Sequence, residues 1–393
     1  MAEEKIVSEQ TAQEPTGLIE QEQAADAKKK SDLSRAFGED GARKTHVGGQ
    51  ALLEGIMMRG RHNWAVAVRE PEGGIYTEEH DLVSGKEKNK WMYFPLVRGC
   101  TAMVEAMALS FKALEIAAIH AFNDEEEKTP ELPEAEQEEV QQLKEGSKVS
   151  PEKKSESDGF GKKEMAISMV VGLLLGVTLF IVAPALITNL IVGEYDSNIL
   201  LWNIVDGILR VAVFIFYLWL IGRMKDIQRM FGYHGAEHKT IHCYEHGLDL
   251  TPENARRFPR LHVRCGTAFL IMVMLIAIFV YTIIPLNAII LAWGIPDGAP
   301  KLILVVITRI IFLPVIAGIS YEITVKWAGA RPENPLVKVI LWPGMQLQYL
   351  TTNEPDDGQI DCAIAAMKIV LEREEREAEK LETEKAKAEP ASA

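Results

Sequence analysis

Apolar and charged residues are segregated along this chain into long blocks. Met165 to Val192 holds no charged residue over 28 positions, and Gly266 to Pro296 none over 31. Each exceeds the roughly 20 residues that an α-helix needs to cross a bilayer. Two further blocks, Ile199 to Gly222 and Leu302 to Val325, are long enough but carry Asp206 with Arg210 and Arg309 with Glu322. Runs of this length without polar relief are rare in soluble cores, so about four transmembrane helices are expected.

The basic residues set the orientation. Residues 223–265 contain Arg223, Lys225, Arg229, Lys239, Arg256, Arg257, Arg260 and Arg264, whereas 193–198 and 297–300 contain no basic residue. The long connection is therefore expected on the cytoplasmic side of a cell (inner) membrane, with both termini beside it. Asp206 and Arg309 each lie seven residues from the outer end of their blocks, roughly 10 Å of helix rise. They can pair with each other, and Arg210 is a second partner for Asp206. The cluster reads as a lock on the bundle, because a lone charge at that depth would be costly. A transporter would need a polar path, but two of the four blocks carry no charge and no inverted repeat is visible.

The polar remainder divides further. Residues 1–42 read as a disordered leader and 124–163, with 13 acidic and 7 basic residues, as a disordered acidic insert. Between them, 43–123 starts with a Gly-rich stretch and continues as "WAVAVRE", "PEGG" and "GIYTEEHDL", a strand-turn-strand pattern that predicts a hairpin. An apolar helix from about Leu96 follows, with Glu105, Lys112 and Glu115 as its interior charges, and is expected to lie at the membrane interface. Residues 164–328 form the transmembrane region with its His-rich loop 223–265. Residues 329–371 form an ordered cytoplasmic segment with a helix beginning near "EPDDGQ", and 372–393 a charged, solvated tail. The fold class expected is mainly α: a polytopic membrane protein with an interfacial helix and a small α+β cytoplasmic portion.

Composition adds little to this. The net charge of -14 is concentrated in the tail-like stretches. The lipid bilayer is the expected partner and no nucleic-acid partner is expected. The four cysteines are far apart with no C-x-x-C pair, which suits reduced thiols facing the cytosol rather than a disulfide framework.

The chemistry is concentrated in "HGAEHKTIHCYEH", residues 234–246. In a helix His234, His238, His242 and His246 form one stripe that drifts about 40° per step. The order H-x-x-E-H occurs twice, as "HGAEH" and "HCYEH", the order of inverted zinc-hydrolase sequences. In that chemistry two imidazoles hold the ion, a third ligand comes from elsewhere, and the glutamate is the general base. His234 and His238 are accordingly the first expected ligands and Glu237 the base. His242, Glu245 and His246 are expected at a second ion or around the first. Glu322 and His262 return to the same face of the membrane and are candidates for the missing ligand. Cys243 and Cys265 are soft donors at unpromising spacing. The ion expected is a divalent transition metal, zinc favoured. The rival readings are a polar helix surface, a structural metal site, a di-iron oxygenase with too few paired histidines, and a membrane-anchored interaction protein.

The segments "GGQALLEGIMMRG", "GYHGAEHKTIHCYE", "FPRLHVRCGTAFL", "SYEI" and "LWPGMQLQYLTTNEPDDGQIDCAIAAM" resemble the bacterial YqhQ-like family of membrane proteins of unknown function. The resemblance covers about 43–123 and 163–371. It implies a predicted metal-dependent enzyme with no nameable substrate, a description that rests on the same histidines.

Overall fold

The computed structural model describes residues 32–38, 45–82, 89–121, 162–284, 286–328, 331 and 334–388. A short helix α1 (Asp32–Gly38) precedes four strands, β1 (Gly48–Leu52), β2 (Gly55–Arg59), β3 (Asn63–Arg69) and β4 (Ile75–Asp81). They pair in the order β1-β2-β3-β4, each antiparallel to the next. The alternating run forms the β3–β4 hairpin, with Trp64 opposite His80 and their rings stacked at 4.3 Å. The Gly-rich stretch before it is itself a second hairpin, with Gly49 opposite Met58.

Alternation gives the sheet two apolar faces. Ile56, Met58, Ala65 and Ala67 pack with Tyr233, Ala236, Ile360 and Met367, whereas Met57, Trp64, Val66 and Val68 pack with Leu109, Ala113 and Ala117. The second set lies on α2 (Val97–Ala121). The start of α2 presses against a membrane helix: a Cβ on Gly99 would sit 2.8 Å from the Cα of Gly318. Its outer face leaves Val104, Met107 and Phe111 exposed.

The apolar blocks become α3 (Lys162–Val177), joined through a π turn (Thr178–Val182) to α4 (Ala183–Val192), then α5 (Ile199–Ile221). After α5 come α6 (Lys225–Glu245), α7 (Pro252–Arg256), α8 (Gly266–Ile283) and α9 (Leu286–Trp293). The chain ends with α10 (Ala299–Tyr321), continued by a π turn (Glu322–Ala328), α11 (Pro335–Thr351) and α12 (Asp357–Ala388). Among the described residues three helices are long and apolar enough to cross a bilayer: Val170–Val192, Ile199–Ile221 and Ala299–Ala328. Leu175, Leu190, Phe216 and Ile311 on them are exposed, a pattern suited to lipid. The third expected span is two helices instead. Ile284 is extended where α8 stops, as the residue before a proline prefers, and the apolar stretch Phe269–Ile283 is the shorter kind of helix.

Both expected partners of Asp206 are in place, with Arg210 Nη2 at 3.0 Å and Arg309 Nη2 at 3.2 Å from Oδ2. At one end of the spans the short connections meet: Lys301 bonds Asp196 at 2.8 Å and the Gly298 amide donates to Glu194. The sheet, α6 and α12 gather at the other end.

Three segments depart from expectation. Within the expected leader, α1 is folded, with Ala36 buried against Leu261, Val263 and Met345; the rest of the leader and nearly all of the acidic insert lie outside the described residues. Residues 335–351 form a full helix whose Leu347 packs with Ile271 and Ile316 of the spanning region, because its apolar residues recur at helical spacing. The charged tail continues α12 to Ala388 and is tethered by Arg373 to Asp81 at 3.0 Å and by Glu374, which accepts from the Arg61 amide.

The α2–α10 contact depends on two glycines, since a Cβ on Gly318 would lie 2.5 Å from the Leu96 carbonyl oxygen. Gly99→Leu is expected to cost about 1–3 kcal/mol by overpacking, seen as a lower midpoint in thermal melts of the detergent-solubilised protein. Gly172→Leu, where a Cβ meets nothing within 4 Å, is expected to leave the midpoint in place.

Candidate metal centre

Helix α6 begins one short turn after α5 and carries the histidine stripe into the interior. His238 and His242 are 1% and 0% exposed, so each ring nitrogen must find a partner or an ion. Backbone carbonyls supply one partner each. His234 Nδ1 donates to Thr351 O at 2.8 Å and His238 Nδ1 to Arg260 O at 2.6 Å. These bonds fix the tautomer and turn both Nε2 atoms the same way.

They turn toward Cys265. His234 Nε2 lies 3.2 Å from its Sγ, and His238 Nε2 is buried with no hydrogen-bond partner. The ligand atoms of His234, His238 and Cys265 all lie within 4.8 Å of one another. Cys265 caps the N-terminus of α8 and also contacts Thr267 Oγ1 at 3.1 Å. Burial opposes ionisation of its thiol, but His234 and His238 outweigh burial and hold the thiol well below its ordinary range. His234 shows the reciprocal effect: burial works against its charge, yet Cys265, and then Glu237, raise it to about 9. Two imidazoles and a thiolate are a donor set for a borderline-soft ion such as zinc, with one tetrahedral position left over.

A second trio stands one turn further along α6. His242 donates through Nε2 to Leu261 O at 3.0 Å. Its ligand atom, one from Glu245 and one from His262 again lie within 4.8 Å of one another. Glu245 is paired with Arg264 and accepts from the Thr45 amide at 3.1 Å. Burial, with His242 and Arg264 nearby, holds His262 well below its ordinary range and therefore neutral.

The two glutamates of the repeated H-x-x-E-H share a structural task. Glu237 accepts from the Gly49 amide at 2.9 Å, as Glu245 does from Thr45. The motif thus clamps the chain that enters β1 at two amides, four residues apart. Gly49 is required for this approach, since a Cβ there would stand 2.9 Å from the Glu237 Cδ. The same glycine lines a cleft of about 370 Å3 between the sheet and α2, together with Gln50, Arg59 and Ser110. Burial raises the Glu237 carboxyl above its ordinary value.

Two expected ligands are elsewhere. Glu322 is bound by Arg98, whose Nε donates at 2.7 Å, and by the Leu96 amide; that guanidinium comes from α2, a helix whose contacts the sequence does not reveal. His246 is exposed and donates to the His242 carbonyl at 2.7 Å. Three steps of drift carry it about 120° round from His234, past the end of α6. Cys265, Arg264, Gln348 and Thr351 take part in the centre although only the first was a candidate, and a weak one. The Gln348 side chain bonds both the amide and the carbonyl of His262, each at 2.9 Å.

Residues 94–373 match the model of a family described as protein of unknown function (DUF1385). The chain is 30% identical over 328 residues to the uncharacterized protein YqhQ of Bacillus subtilis (strain 168), an alignment that covers 83% of this chain and 92% of that one. This chain belongs to that family. No solved structure matches it. Both trios lie inside the matched region, while Thr45 and Gly49, which close over the glutamates, precede it.

The electrostatics predict selective thiol chemistry. Burial pushes Cys243 and Cys362 up to about 11, so near pH 7 they are thiols, whereas His234 and His238 hold Cys265 well below its ordinary range. Iodoacetamide at pH 7 is expected to label Cys265 at least tenfold faster than either, by peptide mass spectrometry, and added zinc is expected to block that labelling.

Proposed function

We propose that this chain is a multi-pass membrane protein that binds a divalent transition metal, zinc favoured, at His234, His238 and Cys265 and acts as a metal-dependent, hydrolase-like enzyme on a substrate close to the membrane. The observation that carries the reading is the buried, unpartnered His238 Nε2 facing the His234–Cys265 pair. A buried acceptor without a donor costs about 1–3 kcal/mol, and a shared cation removes that cost. The bound ion would acidify a water and polarise a carbonyl or phosphoryl oxygen. Thr351 O and Arg260 O hold the two imidazoles in the ligating tautomer. Glu237, next to His238 and raised by burial, is suited to take and return a proton. The charge pattern of the loops supports a cytoplasmic position for the centre, with both termini on that side. The exposed apolar face of α2 supports contact with the membrane interface.

The burial of the rings favours a second reading, a membrane-anchored interaction protein with a closed, structural metal site. The sheet and α12 would then be its docking portion.

Protein purified in detergent without a histidine tag is expected to hold near-stoichiometric metal by elemental mass spectrometry, and His234→Ala/His238→Ala to hold at least tenfold less. Absence of metal in the native protein, even after reconstitution with zinc, sinks the enzyme and the structural metal site alike and leaves a membrane-anchored interaction protein without a metal. Azide added to the cobalt-substituted protein separates them: a changed visible spectrum means an open coordination position, and an unchanged one means a structural site.

A further inference from the structure

Beyond the ion at Cys265, and resting on that reading, we infer that His242, Glu245 and His262 form a second, separate cation site, harder in donor character and weaker in affinity. The argument begins with a distance. His262 Nε2 and Glu245 Oε2 are 3.7 Å apart, too far for a hydrogen bond. Two ligands around one tetrahedral ion with bonds of roughly 2.0–2.2 Å are separated by about 3.3–3.6 Å, so the spacing suits a shared ion. His262 is 3% exposed and its Nε2 has no hydrogen-bond partner. It is thus a second buried imidazole nitrogen without a partner, and it faces the Glu245 carboxylate.

The surroundings fit a cation. Glu245 brings a negative charge that Arg264 holds in place. The Leu261 carbonyl fixes the tautomer of His242, and Gln348 fixes the backbone of His262 at both its amide and its carbonyl.

The two sites are distinct. His238 and His242 are separated by one helical turn, about 6 Å of rise, and the rings of His238 and His262 by 5.6 Å. One trio includes a thiolate and the other a carboxylate, so the first prefers a softer ion and the second accepts harder ones such as manganese or iron(II). The second is the weaker for a stated reason. The Arg264 amide donates to His262 Nδ1 at 3.3 Å, a bond that must be given up when Nε2 takes an ion, since Nδ1 then carries the proton.

The sites are coupled through the short segment between them. The Cys265 amide donates to the His262 carbonyl at 3.2 Å, so an ion on His262 braces the turn that presents Cys265 to the first ion. Occupancy of the second site is expected to slow metal loss from the first.

Cobalt(II) titration of the full-length protein in detergent tests this, read by bound-metal stoichiometry and by thiolate-to-cobalt charge-transfer absorption in the near ultraviolet. Two equivalents are expected in the native protein, the first with the charge-transfer band and the second without. His262→Ala and, as the milder change, Glu245→Gln are each expected to retain the band and bind one equivalent. A native protein that binds one equivalent with the band overturns the second site and leaves the proposed function standing. Loss of both equivalents in both variants overturns the separateness of the sites. No cobalt in the native protein overturns the proposed function itself, and the second site with it.

Discussion

The structure depends on one constraint: imidazoles on successive turns of a helix are buried, and every ring nitrogen must be satisfied. Helix α6 cannot do this for itself, because its own carbonyls are used in its ladder. The carbonyls come instead from Arg260 and Leu261, ahead of α8, and from Thr351, at the end of α11. Those two segments must therefore lie against α6 in fixed register. Gln348 joins them by bonding the His262 backbone at its amide and its carbonyl. The placement of α11 among the spanning helices, with Leu347 beside Ile271 and Ile316, follows from the need to deliver Gln348 and Thr351 to the stripe.

The repeat of H-x-x-E-H solves a second problem at the same place. A buried carboxylate requires donors, and Glu237 and Glu245 take theirs from the amides of Gly49 and Thr45. The sheet is thereby pinned to α6 by charge-assisted bonds as well as by the packing of Ile56 and Met58 against Tyr233 and Ala236. Gly49 is chosen by contact rather than by dihedral angle, since any Cβ there would press on Glu237, Met57 and Met58 together. Gly49 of the Gly-rich stretch is thus a close-packing residue over a carboxylate, whereas a Cβ on Gly48 would meet nothing within 4 Å.

What could be read from the sequence was whatever has a period. Long apolar runs marked the spanning helices, alternation marked β3 and β4, and a four-residue repeat marked the stripe on α6. The Asp206 pairings were legible because two charges at equal depth in a bilayer have few other partners. What escaped depended on contacts between distant segments. Cys265 follows His234 by 31 positions and belongs to no spacing motif, yet the start of α8 places it 3.2 Å from that imidazole. Glu322 was a ligand candidate because nothing near it in sequence pairs with it; Arg98 reaches it from a helix 224 positions away. His246 was misplaced for a local reason: a stripe with period four slips round a helix of period 3.6 and, at the C-terminal cap, leaves the buried face. The interruption at Ile284 was written in the proline after it, and was masked by the uniform apolarity of the block.

The centre is also tied to the membrane region by construction. His234 and His238 lie on the helix that continues α5 after a single short turn, Cys265 is the first residue before α8, and Thr351 is the last of α11. The donors of the Cys265 trio, and the carbonyl that orients one of them, therefore come from the middle of α6, the residue before α8 and the last residue of α11. The placement of the three donor atoms is thus set by how α6, α8 and α11 pack on one another, which no spacing within one helix could fix.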